Sequence, residues 1–226
     1  MKQKMSVRYL ACMAMFTALS FVAVLIAKWI PAVSGFLSYE PKDALIVMAG
    51  FIFGPLSSLI LSVLVSFIEM VTISSTGPWG FLMNALASCA FAVPAAWIYS
   101  RRKTMKGAVA GLAVGVLTMA VCMLIWNYIV TPYYMSMGEL TDVAAKRQIV
   151  GGMLATVFLP FNLIKGGINA GLAMLLYKPL VSALRGAGLV APSQSKKGRF
   201  SPGFTAFALL VLLTFVLLLL VMLGVL

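Results

Sequence analysis

Long apolar runs broken by short clusters of charge, proline and glycine follow one another along all 226 residues. A helix rises about 1.5 Å per residue, so about 20 apolar residues cross a hydrocarbon core roughly 30 Å thick. On that scale the first helix is expected from about Ser6 to Ile30, followed by a loop containing Pro31, Gly35 and Pro41. A shorter apolar segment, about Asp43 to Phe53, ends at Gly54-Pro55. Helices are then expected over about Leu56 to Ile73, Trp79 to Tyr99, Gly107 to Val130 and Ile149 to Tyr177. The polar turn Ser74-Ser75-Thr76-Gly77-Pro78 separates the first two of these, and a loop with Pro132, Glu139 and Asp142 precedes the last. A Gly/Pro/Ser/Lys stretch at about 186–202 leads to a final Leu/Val/Phe run, Gly203 to Leu226. The pattern predicts an all-α, polytopic membrane helix bundle: six helices, a linker and a seventh.

Composition agrees with this class, because 62% of residues are hydrophobic and only 10% charged. The first apolar stretch is too long for a signal-peptide core and is expected to remain a membrane span. The net charge of +12 orients the bundle. With the N-terminus inside, twelve basic residues and no acidic ones fall on the cytoplasmic side: Lys2, Lys4, Arg8, Arg101, Arg102, Lys103, Lys106, Lys178, Arg185, Lys196, Lys197 and Arg199. The other side holds Lys28, Lys42, Lys146 and Arg147 against Glu40, Asp43, Glu139 and Asp142. The positive-inside rule therefore puts the N-terminus in the cytoplasm and, with seven passes, the C-terminus outside. Basic residues scattered in short turns do not form a phosphate-binding patch, so nucleic acid is not an expected partner.

The side-chain inventory argues against catalysis. Histidine is absent, only five carboxylates occur, and no nucleophile stands beside a base. Cys12, Cys89 and Cys122 lie in apolar stretches without metal-ligand spacing and are expected to be core residues. No metal or cofactor site is expected. No G-x-x-x-x-G-K-[ST] is present, so any ATP-driven step belongs to another chain. No inverted internal repeat is evident. Small residues at four-residue spacing, Ala14 and Ala18, Gly107, Gly111 and Gly115, and Gly167 and Gly171, mark close helix contacts.

Ionisable groups within apolar helices cost at least ~2.5–3.5 kcal/mol at the bilayer centre and default to a functional reading. Lys165 stands halfway along its helix, and Asn162, Lys165 and Asn169 share one helical face. Pro160 frees the Thr156 carbonyl and should bend the helix beside them. A purely structural alternative has Lys165 neutralised by Glu69 within a polar seam. Asn127 is a second candidate and Asn84 a weaker one. Tyr39, Trp79, Trp126, Tyr128, Tyr133 and Tyr134 form an outer aromatic belt. Of these, Tyr39 and Trp79 are candidates to stack on a planar ligand. Such a site opens outward and suits a planar, neutral-to-anionic ligand with several carbonyl and imide groups.

Several segments carry a family resemblance over roughly residues 8–186. They are Phe36-Leu-Ser-Tyr-Glu-Pro-Lys-Asp43, Ala49-Gly-Phe-Ile-Phe-Gly-Pro55, Ser75-Thr-Gly-Pro78 with Met83-Asn84, Trp126-Asn127-Tyr128 and Leu159-Pro-Phe-Asn-Leu-Ile-Lys-Gly166. Together they resemble the S components of energy-coupling factor (ECF) importers, in particular the riboflavin-binding type. The resemblance implies a six-helix subunit over 1–189 that captures vitamin from outside under the loop between its first two helices. It implies partners too: a T-type membrane scaffold docked on Ala14 and Ala18, and two ATPase subunits. Residues matching Asn127, Asn162 and Lys165 would bind the isoalloxazine ring, riboflavin being transported ligand rather than cofactor. A cytoplasmic linker over 190–202 and an additional transmembrane helix over 203–226 have no counterpart in that pattern. The alternatives are an S component for another vitamin or a flavin nucleotide, a non-transporting membrane assembly protein and, last, an intramembrane enzyme.

Overall fold

The computed structural model describes residues 6–74, 76–135, 141–190 and 202–226. Most of the expected linker, 191–201, lies outside these residues. So do Ser75, Glu139 and the basic residues Lys2, Lys4, Lys196, Lys197 and Arg199. Ser6 caps the first helix, its side chain accepting from the Tyr9 backbone N–H, and α1 runs Val7–Ala27. A connecting segment at 28–41 follows, folded on itself by an antiparallel bridge between Val33 and Leu37. Gly35, at φ 79, supplies the left-handed turn inside it.

Helices α2 (Lys42–Phe53) and α3 (Pro55–Thr72) meet at Gly54, whose φ of 100 suits glycine, and Pro55 opens α3 where no N–H donor is needed. Next come α4 (Gly77–Arg102) and α5 (Met105–Tyr134). Asp142 caps α6 (Val143–Met153), accepting from the Ala144 and Ala145 N–H groups. Leu154–Phe158 forms a π-helical turn that passes into α7 (Leu159–Gly186). Pro160 stands just after this turn and, without an N–H, cannot hold the regular i→i−4 bond to Thr156. The final helix, α8, spans Pro202–Met222.

Among the described residues, six stretches are long and apolar enough to cross a bilayer: α1, α3, α4, α5, the continuous 143–186 unit and α8. The expected short segment after the first loop is different. At 12 residues α2 is about 18 Å long, and Lys42, Asp43, Ala44 and Ile46–Gly50 are all buried. It is the centre of the bundle, reached from the surface through its own charged N-terminus.

Contacts define two ends of the bundle. At one end the Tyr9 hydroxyl meets Ser57, and Phe51, Tyr99 and Tyr177 form an aromatic cluster near Arg101 and Arg102. At the other, the connecting segment approaches the end of α3 and the starts of α4 and α7. The glycine stripes act as expected. A Cβ on Gly111 would lie 2.7 Å from the Ala95 carbonyl oxygen, and one on Gly115 2.3 Å from that of Phe91. Backbone-to-backbone packing of α5 on α4 thus depends on the absent side chains. Large apolar residues left exposed, such as Leu117, Ile125 and Leu210, face outward into what a bilayer would fill with lipid.

Candidate ligand-binding site

The far end of the bundle encloses a cavity of about 170 Å³. Helices α3, α4, α5 and α7 form its walls, and Phe36, Leu37, Ser38 and Glu40 of the connecting segment close it. Asn84, Asn127, Asn162, Lys165 and Glu69 all line it, together with apolar Met83, Ala87, Met123 and Phe161. Sequence-distant polar groups thus converge on one chamber. Asn127 donates to the Met123 carbonyl at 2.7 Å and accepts from Thr131 at 2.9 Å. Asn162 donates to the Phe158 carbonyl at 2.8 Å. Each amide therefore spends one N–H on its own helix, which fixes its rotamer, and keeps a second N–H for the cavity.

The charges form a buried network. Lys165 Nζ lies 2.9 Å from Glu40 Oε2 and 3.9 Å from Asp43 Oδ2. Lys42, with no exposed surface, donates to both Glu69 oxygens at 2.6 and 2.7 Å and lies 3.2 Å from Glu40. Asn84 donates to Glu40 and Glu69, at 3.0 Å each, and Ser88 donates to Asp43. Burial alone would raise the Glu40 carboxyl, but Lys165 and Lys42 outweigh it and hold that group at about 2. Glu40 is therefore ionised at physiological pH.

The proposed pairing of Lys165 with Glu69 is thus corrected. Glu69 belongs to Lys42, and Lys165 belongs to Glu40. The chain folds so that Glu40, Lys42 and Asp43, expected in an outer loop, enter the core at the start of α2, where an acidic first turn also suits the helix dipole. Their signal was three ionisable groups within four residues directly before a fully apolar segment. Counted among the outer-side charges, which sum to zero, they read as solvated.

Three candidates do not line the cavity. Asn169 is fully buried, accepting from the Ala44 N–H at 3.0 Å and donating to the Glu40 and Lys165 carbonyls at 3.1 and 3.0 Å. It fastens the start of α2 to α7 and has no donor left over. Tyr39 is buried in an apolar cluster with Val33, Phe161 and Ile164. Trp79 stacks on Tyr133 with ring centroids 6.5 Å apart.

A membrane bundle that gathers a polar chamber under a connecting segment, with its amides and one ammonium aimed inward, is built as a substrate-binding membrane subunit. The chain belongs to the family of substrate-specific components of ECF transporters, whose model matches residues 8–177. It is 28% identical to the riboflavin transporter RibU of Staphylococcus aureus (strain TCH60), over 78% of this chain and 92% of that protein. It is 26% identical to the riboflavin transporter FmnP of Bacillus subtilis (strain 168), over 81% of this chain and 98% of that one. The solved S component of a bacterial ECF transporter superposes with a TM-score of 0.62 at 29% identity, covering 78% of this chain and 96% of its own.

Proposed function

We propose that this chain captures riboflavin from outside the cell and, with an ECF scaffold and ATPase subunits, delivers it across the membrane. One observation carries the ligand assignment: Asn127 on α5 and Asn162 and Lys165 on α7 meet in one chamber. Their donors match the carbonyl and imide edge of a flavin ring, and Met83, Met123 and Phe161 offer the apolar faces such a ring requires. Two relatives carrying the name riboflavin transporter support the same choice. Glu69 and the Asn84 amide oxygen, facing the same space, are placed to accept from the ligand's hydroxyl chain, both Asn84 N–H groups being held by Glu40 and Glu69. Asn169, Tyr39 and Trp79 act at a distance, by holding the walls.

The partner surface belongs to α1. Ala14 and Ala18 are exposed and leave a smooth strip on which a scaffold helix can approach closely. The functional unit is 1–189, with a cytoplasmic linker at 190–202 and an added span at 203–226. The N-terminus lies in the cytoplasm and the C-terminus outside. This reading is supported by α2, which though short runs from the chamber end at Lys42 to the basic end at Phe53, beside Tyr9, and so adds a seventh pass to the six longer ones. Titrating the purified protein with riboflavin and following quenching of flavin fluorescence tests the ligand. Saturable one-to-one quenching is expected, and its absence in well-folded protein refutes the assignment.

A further inference from the structure

Helix α8 lies beyond the stretch that the family model matches. A sequence this uniformly apolar could sit anywhere in lipid, yet it packs at a defined place. A Cβ on Gly167 would lie 2.3 Å from the Phe215 ring, and one on Gly171 3.0 Å from Leu212 Cβ. Two glycines one turn apart on α7 thus receive two residues of α8. Gly167 follows Lys165 by two residues, about 200° around the helix, so α8 lies behind the wall that carries the ligand-facing groups.

Towards its C-terminus α8 also reaches the segment that closes the chamber. Leu219 is buried in one apolar cluster with Val33 and Tyr39 of that segment and Phe161, Ile164 and Ile168 of α7. Leu37, Met222 and Leu223 pack against the same cluster. The closing segment is therefore held twice: by the Glu40–Lys165 ion pair on its inner side and by this apolar cluster on its outer side. A chamber of about 170 Å³ is smaller than the roughly 300–1,000 Å³ of small-molecule pockets. A flavin-sized ligand needs more room than this, so the segment must shift to admit it, and doing so opens the cluster.

We propose that α8 is a built-in brake on ligand exchange, with Leu219 the positioning residue through which it holds the closing segment down. This rests on the riboflavin reading for its ligand but not for its mechanics. A clamp that favours the closed segment with and without ligand slows association and dissociation together and leaves their ratio nearly constant.

The test is stopped-flow riboflavin binding to the full chain and to Leu219→Ala, with Leu213→Ala as control. Leu213 lies on the same helix, is 58% exposed and is absent from the cluster. Both rate constants should rise roughly tenfold in Leu219→Ala, a conservative figure for emptying a buried leucine site, and stay at parental values in Leu213→Ala. A second readout needs no ligand. Thiol labelling of Ser38→Cys, in a background lacking Cys12, Cys89 and Cys122, should accelerate in the presence of Leu219→Ala. Unchanged labelling, or a lowered melting temperature with unchanged exchange, overturns the brake. If labelling accelerates but the parent does not quench riboflavin, the brake stands and the ligand assignment falls.

Discussion

Lys165 sits where two demands meet, since it neutralises Glu40 and faces the chamber. A charge-assisted hydrogen bond to a ligand carbonyl is worth about 1.5–3 kcal/mol and a neutral one about 0.5–1.5. Lys165→Met should therefore weaken riboflavin binding roughly ten- to a hundredfold, and Asn162→Leu less. Glu40 keeps Lys42 and Asn84 in that mutant, so the protein should still fold. Fluorescence titration beside a thermal melt checks this, and parental affinity in a mutant that melts early would defeat the assignment. Lys42 should behave differently. Its loss strands Glu69 in the core, and breaking a buried pair from one side costs about 3–5 kcal/mol. Lys42→Met should melt far below the parent, whereas Lys42→Met with Glu69→Gln should recover much of the difference. Equal melting of single and double mutants would mean that the ion pair contributes nothing. The contrast between these lysines explains what the sequence made legible. Lys165, Asn127 and Asn162 are conspicuous because they interrupt apolar helices. Lys42 and Asp43 were hidden beside a proline in a short charged run, where only the tertiary fold decides between water and core. The same limit put Asn169 on the ligand face: helical periodicity gives direction but not the partner waiting there.

At the scale of elements, hydropathy located every helix that a bilayer would bury, because twenty consecutive apolar residues have few other uses in a chain this poor in charge. It marked α2 as a shorter segment, about Asp43 to Phe53, but could not place its 12 residues at the centre of the bundle. Nor could it find α6, whose Lys146, Arg147 and Gln148 read as loop until the Asp142 cap is seen. Glycine stripes announced contacts without naming partners, and the partners differ in tolerance. Gly115 faces the Phe91 carbonyl, a backbone atom that cannot swing aside. Gly115→Ala should therefore lower stability by about 1–3 kcal/mol through overpacking. Gly152, within α6, meets nothing within 4 Å. There alanine gains up to about 1 kcal/mol of helix propensity, so Gly152→Ala should melt at or above the parent. Thermal melts in one detergent compare the two, and equal destabilisation would contradict the packing of α4 on α5.

The whole molecule is polar along its long axis, with a basic end and a chamber end, and each end suits one task. Lys103 and Thr141 lie at opposite ends and are exposed. Cysteines placed there, in a background lacking the native three, should label from outside intact cells only at position 141. Labelling at position 103 would invert the topology. Transport also needs a surface on which energy from another chain can act, and the strip around Ala14 and Ala18 is the one proposed, clear of the chamber. Neither residue lines the cavity or belongs to the buried core. A tryptophan at position 14 would stand off any helix seated there by the width of its indole, because close helix approach in lipid depends on small side chains at the crossing. Ala14→Trp should accordingly bind riboflavin like the parent and, reconstituted with its scaffold and ATPases, lose ATP-driven uptake. Leu117→Trp puts the same side chain at another exposed position, on α5, and should transport normally. Uptake assays on proteoliposomes alongside binding titrations separate the two effects. Normal uptake by Ala14→Trp would place the docking surface on another helix, and loss in both mutants would trace the defect to added bulk in lipid rather than to docking.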